Sequence, residues 1–188
     1  DVNRSPRRLT GDDVAEEISD RFEHKGLRFF DPDGLMLELM ESPVIPSEGR
    51  VDHTISGFAA PTLEVRHLER TEKLLIEILG FEFVGEENNR RRLRGSGSNA
   101  AAEVDLVSSD AGFGLVAVGT VHHIAFRVAN DEEQLRAREA LVTRGLNVTP
   151  VIDRQYFHSI YFREPNGILF EIATDGPGFL IDESADEL

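Results

Sequence analysis

Large apolar and small or polar positions alternate in "HIAFRV" (123–128). Ile124, Phe126 and Val128 fall on one parity, His123, Ala125 and Arg127 on the other. Successive side chains of a strand point to opposite faces. The segment therefore reads as a strand with one face on a core and the other lining a cavity, with His123 on the cavity side. The alternation recurs in "HSIYFRE" (158–164), where Ile160 and Phe162 oppose Ser159, Tyr161 and Arg163. It recurs again in "GILFEIAT" (167–174), where Ile168, Phe170 and Ile172 oppose Leu169, Glu171 and Ala173. Between them "DEEQLRAREALVTR" (131–144) reads as a helix stopped by Gly145. With strands expected near 121–129, 147–153, 157–163 and 168–174, this part of the chain is a β-α-β-β-β unit.

The preceding segment has the same order. "PTLEVRH" (61–67) reads as a strand and "LERTEKLLIEIL" (68–79) as a helix stopped at Gly80. "FEFVGEE", "RRRLRG" and "AAEVDLV" supply three strands, with "GSGSNAA" as a flexible hairpin connection. An internal repeat ties the chain's ends together: "FFDPDGLMLELM" (29–40) resembles "FREPNGILFEIA" (162–173), with Pro32 matching Pro165, Gly34 matching Gly167 and Glu38 matching Glu171 at one constant offset. Both copies read as strand, tight turn, strand, since Asp-Gly and Asn-Gly favour hairpin turns. The expected organisation is α+β: tandem βαβββ modules forming cupped mixed sheets with helices on the outer face. Residues 1–45 would be the C-terminal part of an incomplete module, with a helix over 11–22. Residues 46–56 would be a linker, 57–118 and 119–178 two full modules, and 179–188 an acidic, solvated tail.

Composition narrows the function classes. The net charge is −15, from 35 acidic against 20 basic residues, which argues against binding nucleic acid or an anionic membrane. No apolar run approaches the roughly 18–20 residues needed to span a bilayer, and no signal-peptide pattern is present, so a cytoplasmic protein is expected. There is no cysteine, which removes disulfides and thiolate metal sites. Lysine is scarce beside arginine, as a salt-rich cytoplasm would select, although a GC-rich genome favours arginine equally. The chain opens on Asp1, which points to a processed chain or a fragment.

The candidate chemistry follows from strand parity. Glu171 lies between Phe170 and Ile172, where a carboxylate is costly unless paired or bound to metal. It shares the cavity-side parity of His123, and the two open and close one repeat unit. An imidazole and a carboxylate on neighbouring strands are two of the three ligands of a 2-His-1-carboxylate site. A lone strand-end histidine or strand glutamate is ordinarily a packed or solvated residue; the matched parity lifts this pair above that reading. Tyr161 shares the face and could act on a bound substrate as a hydrogen-bond donor or acid–base group, or be a packed core aromatic. Arg154 follows a strand and could bind an anion, or be a surface arginine.

The module order, with "VHHIAFRV" opening and "VIDRQYFHSIYFREPNGILFEIATDGPGF" closing the last unit, resembles the vicinal oxygen chelate superfamily of glyoxalases, bleomycin-resistance proteins and extradiol dioxygenases. With "GLRFFDPDGLMLEL" added, it is similar to the hydroquinone-type ring-cleaving dioxygenases, which are four-module Fe(II) enzymes. The strongest motifs cover about 120–183. The resemblance implies that His123 and Glu171 are metal ligands and that His122 is an adjacent acid–base histidine, although strand parity alone puts His122 on the helix side. It implies that Tyr161 and Arg154 face the substrate, that Fe(II) is the cofactor (with Mn, Zn or Ni as alternatives), and that a small aromatic and O2 are the reactants. His158, His24, His53 and His67 receive no role.

One departure matters. The family takes its remaining ligand histidine from the first strand of its first module, in a second His-His pair. His122-His123 is the only pair here, and Ala59 and Ala60 stand near the equivalent position of the module at 57–118. Truncation of a longer protein is the favoured explanation, ahead of a ligand from another chain or a loss of iron chemistry. The rival readings are a glyoxalase-type isomerase or lyase, a non-catalytic aromatic-binding protein and an interaction protein using "RRRLR" (90–94). For the first of these, Glu38 is a second candidate carboxylate, unless it is a relic of module duplication in a closed-off cup. An incomplete module would leave an open sheet edge near 27–40, so a homo-oligomer is expected.

Overall fold

A computed structural model describes residues 15–41, 55, 57–97, 102–110, 112, 114–182 and 184. Most of the expected linker, half of the expected tail, and His53 lie outside these residues. Three strands come first: β1 (Ala15–Arg21), β2 (His24–Phe30) and β3 (Met36–Met40), in an antiparallel sheet of order β1-β2-β3. There follow β4 (Thr62–Val65), α1 (Leu68–Glu77), β5 (Glu82–Glu87), β6 (Arg90–Arg94) and β7 (Glu103–Ser108), with sheet order β4-β7-β6-β5. The last group is β8 (Ile124–Val128), α2 (Asp131–Thr143), β9 (Ile152–Asp153), β10 (Phe157–Arg163) and β11 (Leu169–Pro177), with sheet order β8-β11-β10-β9. The two four-stranded sheets share one order, first strand beside last, which is the structural form of the repeat read from sequence. The chain is α+β, as expected.

The helix expected over 11–22 is not formed where the structure describes it: residues 15–21 are β1. Helical spacing of apolar residues is a weak local preference, and tertiary pairing overrides it. β1 pairs residue by residue with β2, from Ile18 opposite Leu27 to Arg21 opposite His24. The connecting residues Phe22 and Glu23 both have positive φ, 46° and 68°, as a two-residue hairpin turn of the primed type requires. Phenylalanine is a poor residue for that conformation. Two contacts hold it there: the Phe22 amide donates to Glu87 Oε2 at 2.6 Å, and the Arg92 guanidinium lies 4.3 Å from the Phe22 ring centroid. The strand expected at 147–153 shrinks to β9, with Val148 bridging Phe162 in isolation.

The chain divides into two compact units: 1–63 with 83–107 and 114–121, and 64–82 with 108–113 and 122–188. These units cut across the sequence modules, because α1 belongs to the second unit. There Thr71 of α1 donates to Glu164 Oε2 at 2.5 Å. Asn166 Nδ2 donates to Thr71 Oγ1 at 2.8 Å, and its Oδ1 accepts from the His67 amide at 2.8 Å. Glu164 Oε1 accepts from the amides of Asn166 and Ile168 at 2.7 and 3.0 Å. The buried Glu164 thus fixes the turn from β10 into β11.

α2 starts at an Asn130 cap whose Oδ1 accepts from the Glu133 amide at 3.0 Å, while Glu133 reaches back to the Ala129 amide. Gln134, fully buried, donates from Nε2 to the carbonyls of both His158 and Ile172 at 2.8 Å, fastening α2 to β10 and β11. The core beneath is the apolar parity of the strands: Ile160, Phe162, Phe170 and Ile172 are buried, and Phe126 meets Phe170 edge-on at 5.0 Å. Phe81 closes the row against Phe126 at 5.7 Å. No described helix is long and apolar enough to cross a membrane.

Candidate metal centre

β11 sits between β8 and β10. Glu171 lies opposite Ala125 in the parallel ladder with β8 and opposite Tyr161 in the antiparallel ladder with β10. Because Phe170 and Ile172 occupy the core, Glu171 is sent to the other face, where it is still 4% exposed. Its two oxygens have different partners. Oε2 meets His123 Nε2 at 2.7 Å. Oε1 accepts from the Tyr161 hydroxyl at 2.8 Å and from the Ser159 hydroxyl.

His122 and His123 precede β8, whose ladder begins at Ile124. Strand parity therefore does not govern them, and the two can serve one site. Their Nδ1 atoms stand 2.8 Å apart, and their rings meet edge-on at 5.1 Å. One Nδ1 must donate and the other accept, so the tautomer of one ring sets that of the other. The His123 ring also meets the Tyr161 ring edge-on at 5.7 Å. Arg154, exposed, donates from Nη2 to the Tyr161 hydroxyl at 3.3 Å, its guanidinium 5.5 Å from the Tyr161 ring centroid. His122, His123, Arg154, Tyr161 and Glu171 thus form one connected chain of contacts. Ser159 completes it; its parity was visible in the sequence, but nothing there marked a serine as a partner of the carboxylate.

The imidazole and carboxylate fit two of the three protein positions of a 2-His-1-carboxylate centre. Among the described residues no third histidine, cysteine, aspartate or glutamate joins them into a metal-binding group. Ala59 and Ala60 carry no donor side chain.

The other candidate carboxylate is occupied. Glu38 Oε2 accepts from Arg21 Nη1 at 2.5 Å, and Oε1 accepts from Arg21 Nη2 and from Arg28 Nε, the latter at 3.2 Å. Arg21 is 7% exposed, and burial, together with the nearby Arg90 and Arg28, lowers its pKa to about 10. Asp105 is held likewise: Arg92 Nε and Nη2 reach its two oxygens at 2.8 and 2.9 Å, and Arg90 Nη1 reaches Oδ2 at 3.0 Å. Burial lowers the pKa of Arg90, whereas the hydrogen bond to Asp105 raises that of Arg92. The arginines of "RRRLR" are not a free basic patch: Arg90 and Arg92 hold Asp105, Arg91 meets Glu86 and Arg94 meets Glu103.

The model of the Glyoxalase/Bleomycin resistance protein/Dioxygenase superfamily matches residues 50–172, more than half of the chain. The chain belongs to this superfamily. It is 40% identical over 188 aligned residues to the Bacillus subtilis protein named "Putative ring-cleaving dioxygenase MhqO", covering 97% of this chain and 60% of that one. It is 32% identical over 193 residues to the chlorohydroquinone/hydroquinone 1,2-dioxygenase of Sphingobium indicum, covering 93% of this chain and 58% of that one. The crystal structure of a B. subtilis protein named "putative dioxygenase" superposes with a TM-score of 0.79 at 41% identity, over 89% of this chain and 56% of that one. The chain therefore spans about 60% of the length of these curated relatives.

Proposed function

We propose that the protein is, or is part of, an Fe(II)-dependent extradiol-type ring-cleaving dioxygenase acting on hydroquinone-like aromatics. The observation that carries this reading is the Glu171 carboxylate: it is buried, both oxygens have partners, and none of those partners carries a permanent positive charge. Such a group is poised for a cation, and His123 Nε2 lies at the same oxygen. The kinship with relatives named as ring-cleaving dioxygenases supplies the reaction class.

His123 and Glu171 would hold the metal, with the third protein donor supplied from outside the described residues or by another chain. The chemistry that Fe(II) brings when bound is to lower the pKa of a coordinated phenol and to activate O2 beside it. The remaining steps belong to the protein. Tyr161 and Arg154 bind and orient the substrate hydroxyl, and Tyr161 exchanges a proton through its phenolic oxygen. His122 takes or returns a proton at a ring nitrogen, and its Nδ1 contact keeps the His123 ring in one orientation.

The isomerase reading needs a second carboxylate ligand, and the guanidinium clamp on Glu38 counts against it. The aromatic-binding reading leaves the buried Glu171 without a purpose. The test is anaerobic loading with Fe(II), iron content by mass spectrometry, and oxygen uptake on adding a hydroquinone. Iron bound by the wild type and lost in His123→Ala and Glu171→Ala, with oxygen consumed, supports the dioxygenase. Iron bound in the same way with no oxygen uptake by the longest natural form of the protein overturns it.

A further inference from the structure

The three repeats each place a carboxylate on a last strand, with one residue directly opposite it: Arg28 opposite Glu38, Arg92 opposite Asp105 and Tyr161 opposite Glu171. Two residues earlier on the opposing strand stand Gly26, Arg90 and Ser159 respectively. In the first two repeats the donors to the carboxylate are guanidinium groups. They are permanently charged and they occupy both oxygens. In the third repeat the equivalent donors are two neutral hydroxyls, and both converge on a single oxygen, Oε1. A hydroxyl donates one proton and brings no charge. Among the described residues, the hydroxyl donors to Glu171 thus bring no compensating charge, and Oε2 is left to His123.

We propose that Ser159 is a positioning residue for Glu171: by holding Oε1 together with Tyr161 it presents Oε2 as a single oxygen ligand to a divalent cation. It fills the place from which Arg90 neutralises Asp105. Ser159 is fully buried and bonds the carboxylate from the neighbouring strand, so its hydroxyl has no solvent competitor. At this strand position Ser159 therefore brings a neutral donor to Glu171 where Arg90 brings a charged one to Asp105. The inference deepens the metal-centre reading and rests on it for the cation; the claim that Ser159 orients the carboxylate does not need the cation.

The experiment titrates Mn(II) into the full chain and reads free Mn(II) by electron paramagnetic resonance, for the wild type, Ser159→Ala, Ser159→Thr and His123→Ala. Thermal melts establish that each variant is folded. Loss of an outer-shell partner typically weakens metal affinity by about 10- to 100-fold, and Ser159→Ala is expected to do so. Ser159→Thr keeps the hydroxyl and is expected to stay within about threefold of the wild type. Wild-type affinity in Ser159→Ala, or an equal loss in Ser159→Thr, overturns the proposal. If the wild type takes up no Mn(II), the metal reading of this chain fails. The role of Ser159 is then decided by a crystal structure of Ser159→Ala. A Glu171 carboxylate turned away from Tyr161 supports it, and an unmoved one overturns it.

Discussion

Tyr161 stands directly opposite Glu171 across the β10–β11 ladder and donates its hydroxyl to Oε1 at 2.8 Å. Tyr161→Phe keeps the ring against His123 and deletes that donor. Ser159 remains on the same oxygen, so the stability cost is expected to be about 1 kcal/mol, the net worth of one hydrogen bond. If the phenolic oxygen handles a proton in catalysis, turnover of a hydroquinone by the metal-loaded protein falls about 10²- to 10⁴-fold. Oxygen uptake beside a thermal melt separates the two effects. An unchanged rate would remove Tyr161 from the reaction.

Glu38 is a structural group on this reading, and its removal has a different signature. Glu38→Ala leaves the Arg21 guanidinium buried without its bidentate partner. Breaking a buried pair from one side costs about 3–5 kcal/mol; the value here is expected toward the lower end, because the Glu38 side chain keeps 19% of its exposure. Urea unfolding measures the loss. Metal uptake by the folded protein is expected to stay at the wild-type level, whereas a ligand role for Glu38 would abolish it.

The His158–Asp131 contact, 2.6 Å between Nδ1 and Oδ1, ties β10 to the first turn of α2. The hydrogen bond to Asp131 raises the pKa of His158 above its ordinary value. A group whose folded pKa is raised stabilises the protein fully below its unfolded pKa, near 6.5, and loses that contribution as pH rises through the folded value. Thermal stability is therefore expected to fall over the interval just above pH 6.5, by an amount that salt reduces. His158→Asn should flatten the profile in that interval. An identical slope in the variant would show that the contact contributes nothing.

Thr71 and Glu164 form the buried joint between α1 and the β10–β11 turn. Thr71→Val removes a hydroxyl donor from a carboxylate oxygen that, among the described residues, keeps Asn166 Nδ2 at 3.3 Å. The expected cost is about 1–3 kcal/mol, the range for a buried acceptor losing a partner. Chemical denaturation of the variant reads it directly, and a cost below about 0.5 kcal/mol would mean that Asn166 suffices.

Much of the last repeat was legible because its signal is local. Alternation fixes which side chains of β10 and β11 share a face, so Tyr161 and Glu171 pair on sequence alone; the contact of Glu171 with His123 agrees with the parity reading although His123 lies one residue outside the β8 ladder. The β1 hairpin was not legible. Its sequence satisfies helical spacing, and the strand is chosen by pairing with β2 and by contacts of the Phe22 turn with Glu87 and Arg92, which are far away in the chain. His122 was misplaced for a related reason: parity was extended two residues beyond the start of the ladder.

The sequence by itself determined the repeated module, the α+β class and the two ligand-type side chains, since all of these are written in short-range periodicity and in matching motifs. Only the tertiary structure decided which of three similar carboxylates stays open. Glu38, Asp105 and Glu171 are equivalent as residues in a strand pattern. Their difference lies in cross-strand neighbours, guanidinium in two cases and hydroxyl in the third. Charge compensation depends on which donors lie within hydrogen-bond distance in space, and that is fixed by sheet register rather than by any one segment.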